Sequence, residues 1–451
     1  MMSSLLRNVQ RVAPVLPVLG LSLLLNLMPG SLHGNLSRAR EERALRLAAR
    51  SVQPVAVELF PDSLSRYPFL ALSHNVIADS TGALNPFFEA LGHLAVGTLG
   101  ATEVLPILHI GDSHLQPDIL SGTLRTHLQA HFGNAGRGLV VPLRLAKTNQ
   151  PVDYAISSQN VWKASRMIRS SQRLQAGVGG NLLFTLNTRV ALDLSLKNIA
   201  RNEPFGRISL FSSPNLKIWR GIVGRDTFLF RPSGLSRTLF QLSLPDTTSH
   251  IRLTAEKVPG RDSLFVYGMV LETGKSGVLY HNSGSNGARM VDFTRTPLFF
   301  EQAAALDPRL LIVSLGTNEA SGSGFTPEIF YGYLDNFCRM LQQACPGVPI
   351  LLTTPLACGK RYVVNRRAQY RPNPHMQKVR DIIVAYAAEK GFAVWDLFST
   401  GGEQTMENWY AAKLLSADRM HATREGYLLQ GNLLYHALMT QYNRYVESRA
   451  E

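Results

Sequence analysis

Residues Val104 to Ile110 form an almost wholly apolar run that breaks at Gly111 and continues at once into Asp112 and Ser113. A strand with apolar side chains on both faces must be covered on both, which places it in the middle of a parallel sheet. Gly111 gives the backbone the freedom for a sharp exit. Pro117 suits a first helical position and Asp118 suits the positive end of a helix dipole, so the spacing predicts a helix from Pro117 to Phe132. Ser113 would then sit between a strand's carboxyl end and a helix's amino end, where turn N–H groups face any negative charge that develops beside its hydroxyl.

Two later stretches supply what a serine nucleophile needs. Asp418-Arg419-Met420-His421 sets a carboxylate and an imidazole three residues apart. Asp418 can hold one ring nitrogen while the other faces outward. Leu310 to Leu315 is a second buried strand, broken at Gly316 and followed by Asn318, whose amide can donate to an oxyanion. Asp112 reads as structural, bonded within its own turn, and His109 and His114 read as packing residues.

Gly111-Asp112-Ser113, Gly316-Thr317-Asn318 and Asp418-Arg419-Met420-His421, in that order, resemble the blocks of the SGNH (GDSL-type) hydrolases. The remaining block, a glycine whose N–H completes the oxyanion hole, is matched by Ser285-Asn286-Gly287-Ala288 after the strand-like Gly277 to Tyr280. His114 stands where the usual block has leucine. Gly-Asp-Ser-His, with Gly-Thr-Asn-Glu and Asn-Gly-Ala, is more similar to the bacterial peptidoglycan O-acetylesterase branch than to the lipases and thioesterases. The resemblance covers residues 85–150 and 276–445 and implies a serine-dependent O-acetyl ester hydrolase. It implies Ser113, Asp418 and His421 as the triad, and Ser113, Gly287 and Asn318 as the oxyanion hole. It implies no cofactor and no metal. An O-acetyltransferase on the same scaffold, or a glycan-binding wall protein without activity, are the competing readings.

The chain alternates strand and helix around these blocks, which predicts an α/β fold with a doubly wound parallel sheet. From about Thr148 to Thr273 helical periodicity disappears and short alternating runs replace it, among them Val190 to Leu196 and Leu264 to Leu271. A run of this length predicts an inserted all-β sandwich, since two sheets are needed to cover two apolar faces. The resembled branch carries a carbohydrate-binding-module-like insert at the same place. The expected organisation is a signal peptide or N-terminal anchor over 1–34, a spacer over 35–84, hydrolase segments over 85–149 and 275–451, and the β-module over 150–274. The leader reading rests on Arg7 and Arg11 ahead of the uncharged run from Val12 to Met28. It implies a periplasmic or secreted protein, soluble or tethered only at its amino end.

The net charge of +14 is unevenly spread: residues 159–261 hold 16 basic and five acidic residues. A basic exported β-module suits an anionic polymer. The resemblance implies an acetylated glycan polymer such as peptidoglycan as the partner, alongside an acetylation machinery. Nucleic acid is not expected, because no nucleic-acid-binding motif is present. Cys338, Cys345 and Cys358 are few and odd in number, and read as small core residues. His127 and His131 share a helix face without the rest of a zinc-protease pattern. Arg419 is adjacent to the triad residues and is expected to line the pocket. Lys360 to Arg371 reads as a basic loop.

Overall fold

The computed structural model describes residues 66–96, 103–171, 174–197, 202–214, 216–258 and 263–450. The leader expected over 1–34 and residues 35–65 of the spacer lie outside the described residues.

The first segment comprises β1 (Ile77–Ala78), α1 (Asn85–Val96), β2 (Val104–Gly111), α2 (Leu120–Phe132) and β3 (Asn134–Gly136). Twelve further strands follow: β4 (Gly138–Val140), β5 (Tyr154–Ser157), β6 (Lys163–Arg166), β7 (Asn181–Thr185), β8 (Arg189–Leu196), β9 (Phe205–Ser212), β10 (Leu216–Val223), β11 (Asp226–Leu229), β12 (Arg231–Pro232), β13 (Leu239–Thr248), β14 (His250–Lys257) and β15 (Leu264–Glu272). The chain then runs through β16 (Gly277–Gly284), α3 (Met290–Thr294), α4 (Pro297–Ala304), β17 (Leu310–Ser314), α5 (Thr317–Ser321), α6 (Pro327–Ala344) and β18 (Ile350–Thr353). A hairpin of β19 (Gly359–Val364) and β20 (Arg367–Pro372) precedes α7 (His375–Lys390), β21 (Ala393–Trp395), α8 (Leu397–Thr400), α9 (Thr405–Ala411) and α10 (Arg424–Ala450). No helix among the described residues is long and apolar enough to cross a membrane.

The main sheet has the order β1-β21-β18-β17-β2-β16-β3. β2 lies inside it, parallel to β16 and β17. Alternation along β2 feeds two cores: Ile107 packs with Phe87, Leu124 and Leu438 of α1, α2 and α10. Leu108 and Ile110 pack on the other face with Phe293, Phe299 and Phe337 of α3, α4 and α6. The doubly wound arrangement therefore follows from a strand that is apolar at every position but one, and that one, His109, is bonded on both ring nitrogens.

The sheet is mixed, because β1 pairs antiparallel with β21. This corrects the expectation of a wholly parallel sheet and of a spacer reaching residue 84. Leu70, Ile77 and Leu84 are buried, and Asn75 accepts from the Trp395 indole at 2.9 Å while donating to the Leu433 carbonyl at 3.0 Å. The expected spacer thus ends in an edge strand of only two residues.

Between β3 and β16 the chain forms two antiparallel sheets, ordered β11-β10-β14-β8-β5 and β12-β13-β9-β15-β7-β6, with β4 added to β15. They share one core, in which Leu192, Trp219 and Leu253 of the first meet Leu210, Val266 and Met269 of the second. The stretch is also tied into the α/β layers. Met167, Ala176 and Val178 belong to the same core as Phe293 and Phe299. The Val178 N–H donates to Gln302 at 2.9 Å, and Ser283 and Ser285 donate to the carbonyls of Val178 and Gly180 at 2.6 and 3.0 Å.

A buried ion cluster joins the pieces. Asp118 accepts from Arg125 at 2.8 Å, from Arg137, from the Ser121 hydroxyl at 2.6 Å and from Asn282 at 2.9 Å. Both arginines also reach Asp153. Burial opposes ionisation of Asp118, but Arg125 and Arg137 outweigh it and hold the carboxyl well below the usual range. Asp118→Ala leaves two buried guanidinium groups undercompensated and is expected to cost about 3–5 kcal/mol. Chemical denaturation measures this, and a loss below about 1 kcal/mol would show that the cluster is dispensable.

Candidate active site

Helix α2 begins at Leu120, three residues later than the sequence suggests, because Asp118 adopts a left-handed φ of 57° that turns its carboxylate into the ion cluster. Ser113 is consequently not at a helix amino end. It sits on a turn closed by the N–H groups of Leu115 and Gln116, which donate to the Asp112 carbonyl at 3.2 and 3.1 Å. The turn lies against Gly284 at the end of β16, where a Cβ would come within 2.3 Å of the Gln116 nitrogen.

Ser113, Asp418 and His421 come together. The Ser113 Oγ lies 2.9 Å from His421 Nε2, and His421 Nδ1 lies 2.7 Å from Asp418 Oδ2. The second oxygen of Asp418 accepts from the Ser416 hydroxyl at 2.7 Å and from the N–H groups of Met420 and His421 at 2.9 Å. Partial burial works against the charge, yet these bonds win and keep the Asp418 carboxyl far below its ordinary value. An ionised Asp418 makes Nδ1 the protonated nitrogen and leaves Nε2 free to accept from Ser113.

The cleft at Ser113 has a volume of about 570 Å³ and is lined by Gly287, Asn318 and His421 together with Asn149, Asn286 and Arg424. Among the described residues, the N–H groups of Ser113 and Gly287 make no hydrogen bond. Gly287 has a φ of 77°, and the nearest atoms to an added Cβ are methyls of Ile168 at 3.8 and 3.9 Å, so its N–H is fixed by a backbone form that favours glycine. Asn318 is already engaged, donating to Asp112 Oδ2 at 3.0 Å and to the Ala288 carbonyl at 3.1 Å. Asp112 thus orients Asn318 as well as capping its own turn through the His114 N–H at 2.9 Å.

Other candidates are placed elsewhere. His109 bridges the Tyr280 hydroxyl and Ser314 at 2.7 Å each, and burial pushes it down to about 3. His114 bonds Tyr427 at 3.0 Å and packs beside the His421 ring. His127 bonds Asn432 at 2.9 Å and stacks on Tyr435, which also faces His131. The three cysteines are free and buried. Arg419 turns away from the cleft and lies over the Tyr410 ring, which corrects the expectation that it lines the pocket. The cation in the cleft is Arg424, which no local pattern marks beyond its place just after His421. Asn149 was equally silent, since only the fold carries it across to Asn286, 2.6 Å away.

Glu319, beside Asn318, is buried. Its Oε1 accepts from the Met290 N–H at 2.8 Å, while Oε2 has no hydrogen-bond partner among the described residues. Burial is the main cause that pushes its carboxyl up to about 7, with the Asp112 charge adding to it against the N–H groups of Met290 and Glu319 and the charge of Arg289. The folded protein then keeps a proton that the unfolded chain releases near 4.5, so stability falls as pH rises from about 4.5 to about 7 and levels off above. Glu319→Gln is expected to remove this loss, which is on the order of 3 kcal/mol. Denaturation curves from pH 4 to 8 read it directly, and parallel wild-type and variant profiles would contradict it.

Residues 264–429 match the model of the GDSL-like lipase/acylhydrolase family. That span contains Gly287, Asn318, Asp418 and His421 but not Ser113, which the antiparallel strands separate from it. The structure is similar to one of a peptidoglycan O-acetylesterase, with a TM-score of 0.65 and 21% identity over 82% of this chain and 99% of that one. A lipase/acylhydrolase from Enterococcus faecalis (TM-score 0.28, 21% identity, 37% and 77% covered) is also matched. So is an acetylxylan esterase from Geobacillus stearothermophilus (TM-score 0.27, 15% identity, 37% and 73% covered). No curated protein sequence matches the chain. In fold and site the chain is similar to the SGNH (GDSL-type) hydrolases, with the family match confined to residues 264–429. Over most of its length the chain resembles in fold the peptidoglycan O-acetylesterase named above.

Proposed function

We propose that the protein is an exported serine esterase that removes O-acetyl groups from a cell-wall glycan, with peptidoglycan as the substrate. The observation that carries this reading is the unbroken chain from Ser113 through His421 to Asp418, opening into a cleft beside two unengaged N–H groups. His421 Nε2 takes the Ser113 proton as Oγ bonds to the acetyl carbon, and the carbonyl oxygen becomes an oxyanion. The N–H groups of Ser113 and Gly287 receive it. Asn318 joins by releasing the Ala288 carbonyl, since a charged acceptor binds about twice as strongly as a neutral one. His421 then returns the proton to the sugar oxygen, which leaves as an alcohol. Water, deprotonated by the same nitrogen, releases acetate from the acetyl-serine.

Asn149, Asn286 and Asn318 in the cleft lining suit sugar hydroxyls and amides. The resemblance to the peptidoglycan O-acetylesterase branch and the basic β-rich segment support a wall polymer as substrate. Export rests on the leader read over residues 1–34.

The test is acetate release from an aryl acetate, O-acetylated peptidoglycan and acetylated xylan. Ser113→Ala and His421→Ala are each expected to lower turnover by about 10³-fold or more in folded protein. Near wild-type turnover in folded His421→Ala would sink the mechanism. Asn318→Ala is expected to lower kcat by about 10²-fold or more with little change in KM, because an oxyanion donor acts where charge develops. A change in KM alone would make Asn318 a substrate ligand.

A further inference from the structure

The stretch Gly359–Pro372 is not a loop but a two-stranded ribbon, β19 paired with β20 in continuous register from Gly359↔Pro372 to Val364↔Arg367. Asn365 and Arg366 form its turn, with φ of 49° and 61°. It belongs to neither the main sheet nor the two antiparallel sheets. It carries Lys360, Arg361, Arg366, Arg367 and Arg371 and no acidic residue. None of these five cations has a carboxylate partner among the described residues.

Register sorts the side chains. Lys360 stands directly opposite Arg371, Tyr362 opposite Gln369 and Val364 opposite Arg367, so one face holds three cations with Tyr362 among them. The Arg371 guanidinium lies 5.8 Å from the centre of the Tyr362 ring. Like charges directly opposite one another destabilise a ladder, and a lone hairpin is marginal to begin with. Among the described residues no carboxylate offsets the repulsion between Lys360 and Arg371. An external anion would.

The ribbon's foot joins it to the loop that carries Asp418 and His421. The Gly359 N–H donates to the Arg419 carbonyl at 2.8 Å, and Asn373 donates to the Cys358 carbonyl at 3.0 Å. Arg419 is the residue between Asp418 and Met420, so the ribbon rises from the loop that carries the triad's carboxylate and imidazole. Met420 and Arg424, on the cleft side of that loop, line the Ser113 cleft. The cations of the ribbon and Arg424 therefore flank one short segment of chain.

We propose that this ribbon is a binding arm for a carboxylate-bearing glycan strand, held by Lys360, Arg367 and Arg371 with a sugar ring on Tyr362. The arm keeps the polymer over the esterase cleft, and the inference rests on the glycan esterase reading above. Its contribution is electrostatic, so it acts on the charged polymer, fades as salt shortens the screening length, and leaves a small neutral ester untouched.

The test is the triple variant Lys360→Gln, Arg367→Gln, Arg371→Gln in the full chain, with O-acetylated peptidoglycan sacculi and an aryl acetate as substrates. At low salt the variant is expected to release acetate from sacculi about tenfold more slowly and to hydrolyse the aryl acetate within about twofold of wild type. Roughly 0.5 M salt should bring wild type down to the variant's rate on sacculi, since the screening length is then only a few ångströms. The melting temperature should stay level or rise, because a like-charge pair has been removed. Unchanged action on sacculi, or equal loss on both substrates, would overturn the proposal. Cosedimentation with sacculi decides it independently of activity: retention of wild type and release of the variant support the arm even if the esterase reading fails. Equal retention, or a loss confined to phosphatidylglycerol vesicles, overturns it.

Discussion

The site depends on the buried cluster of Asp118, Arg125, Arg137 and Asp153. Asp118 ends the turn that begins at Asp112, Arg125 belongs to α2, Arg137 joins β3 to β4, and Asp153 introduces β5. One carboxylate thus ties the Ser113 turn to the helix behind it, to the start of the antiparallel sheets and, through Asn282, to β16. Ion pairs at this depth contribute little net stability over a hydrophobic alternative, but a missing member leaves a costly unpaired charge, so the cluster dictates one arrangement. That arrangement seats the turn under Gly284 and holds Ser113 toward His421.

A second constraint operates on the other side of the serine. Asp112 and Glu319 are both buried carboxyls pushed upward by burial, and they flank the amide of Asn318. Asp112 accepts one Asn318 N–H, and the Ala288 carbonyl accepts the other. The amide is therefore held in place by the fold, and in the proposed reaction a developing oxyanion would have only one weak, neutral acceptor to displace. The N–H groups of Ser113 and Gly287 need no such exchange. Orientation set in advance by the fold, at no cost during reaction, is what makes such donors effective.

The parts legible in the sequence were those fixed by local pattern. The apolar run of β2, the glycine exits at Gly111 and Gly316, and the three-residue spacing of Asp418 and His421 all announce themselves within a few residues. What stayed hidden depends on partners far along the chain. Asp118 looks like a helix-dipole residue until Arg137 and Asp153 arrive from beyond the helix. Residues 66–84 look like a spacer until Asn75 meets Trp395 and Leu433. The ribbon at 359–372 looks like a basic loop because its turn uses Asn365-Arg366 instead of a glycine, although Tyr362-Val363-Val364 ahead of that asparagine was a usable strand signal. Arg424 rather than Arg419 faces the cleft because the left-handed backbone at Arg419, with a φ of 58°, sends its side chain onto Tyr410.

The central claim is that Ser113, activated by His421, is the group that attacks the acyl carbon. Reaction with a fluorophosphonate ester followed by peptide mass mapping tests it most directly, because the reagent bonds only to a serine whose proton is removed by a neighbouring base and whose oxyanion is accommodated. The account predicts a single adduct on Ser113, loss of ester hydrolysis in step with labelling, and no adduct in a folded His421→Ala variant. An adduct on another residue, or ester hydrolysis that survives complete labelling of Ser113, would contradict it.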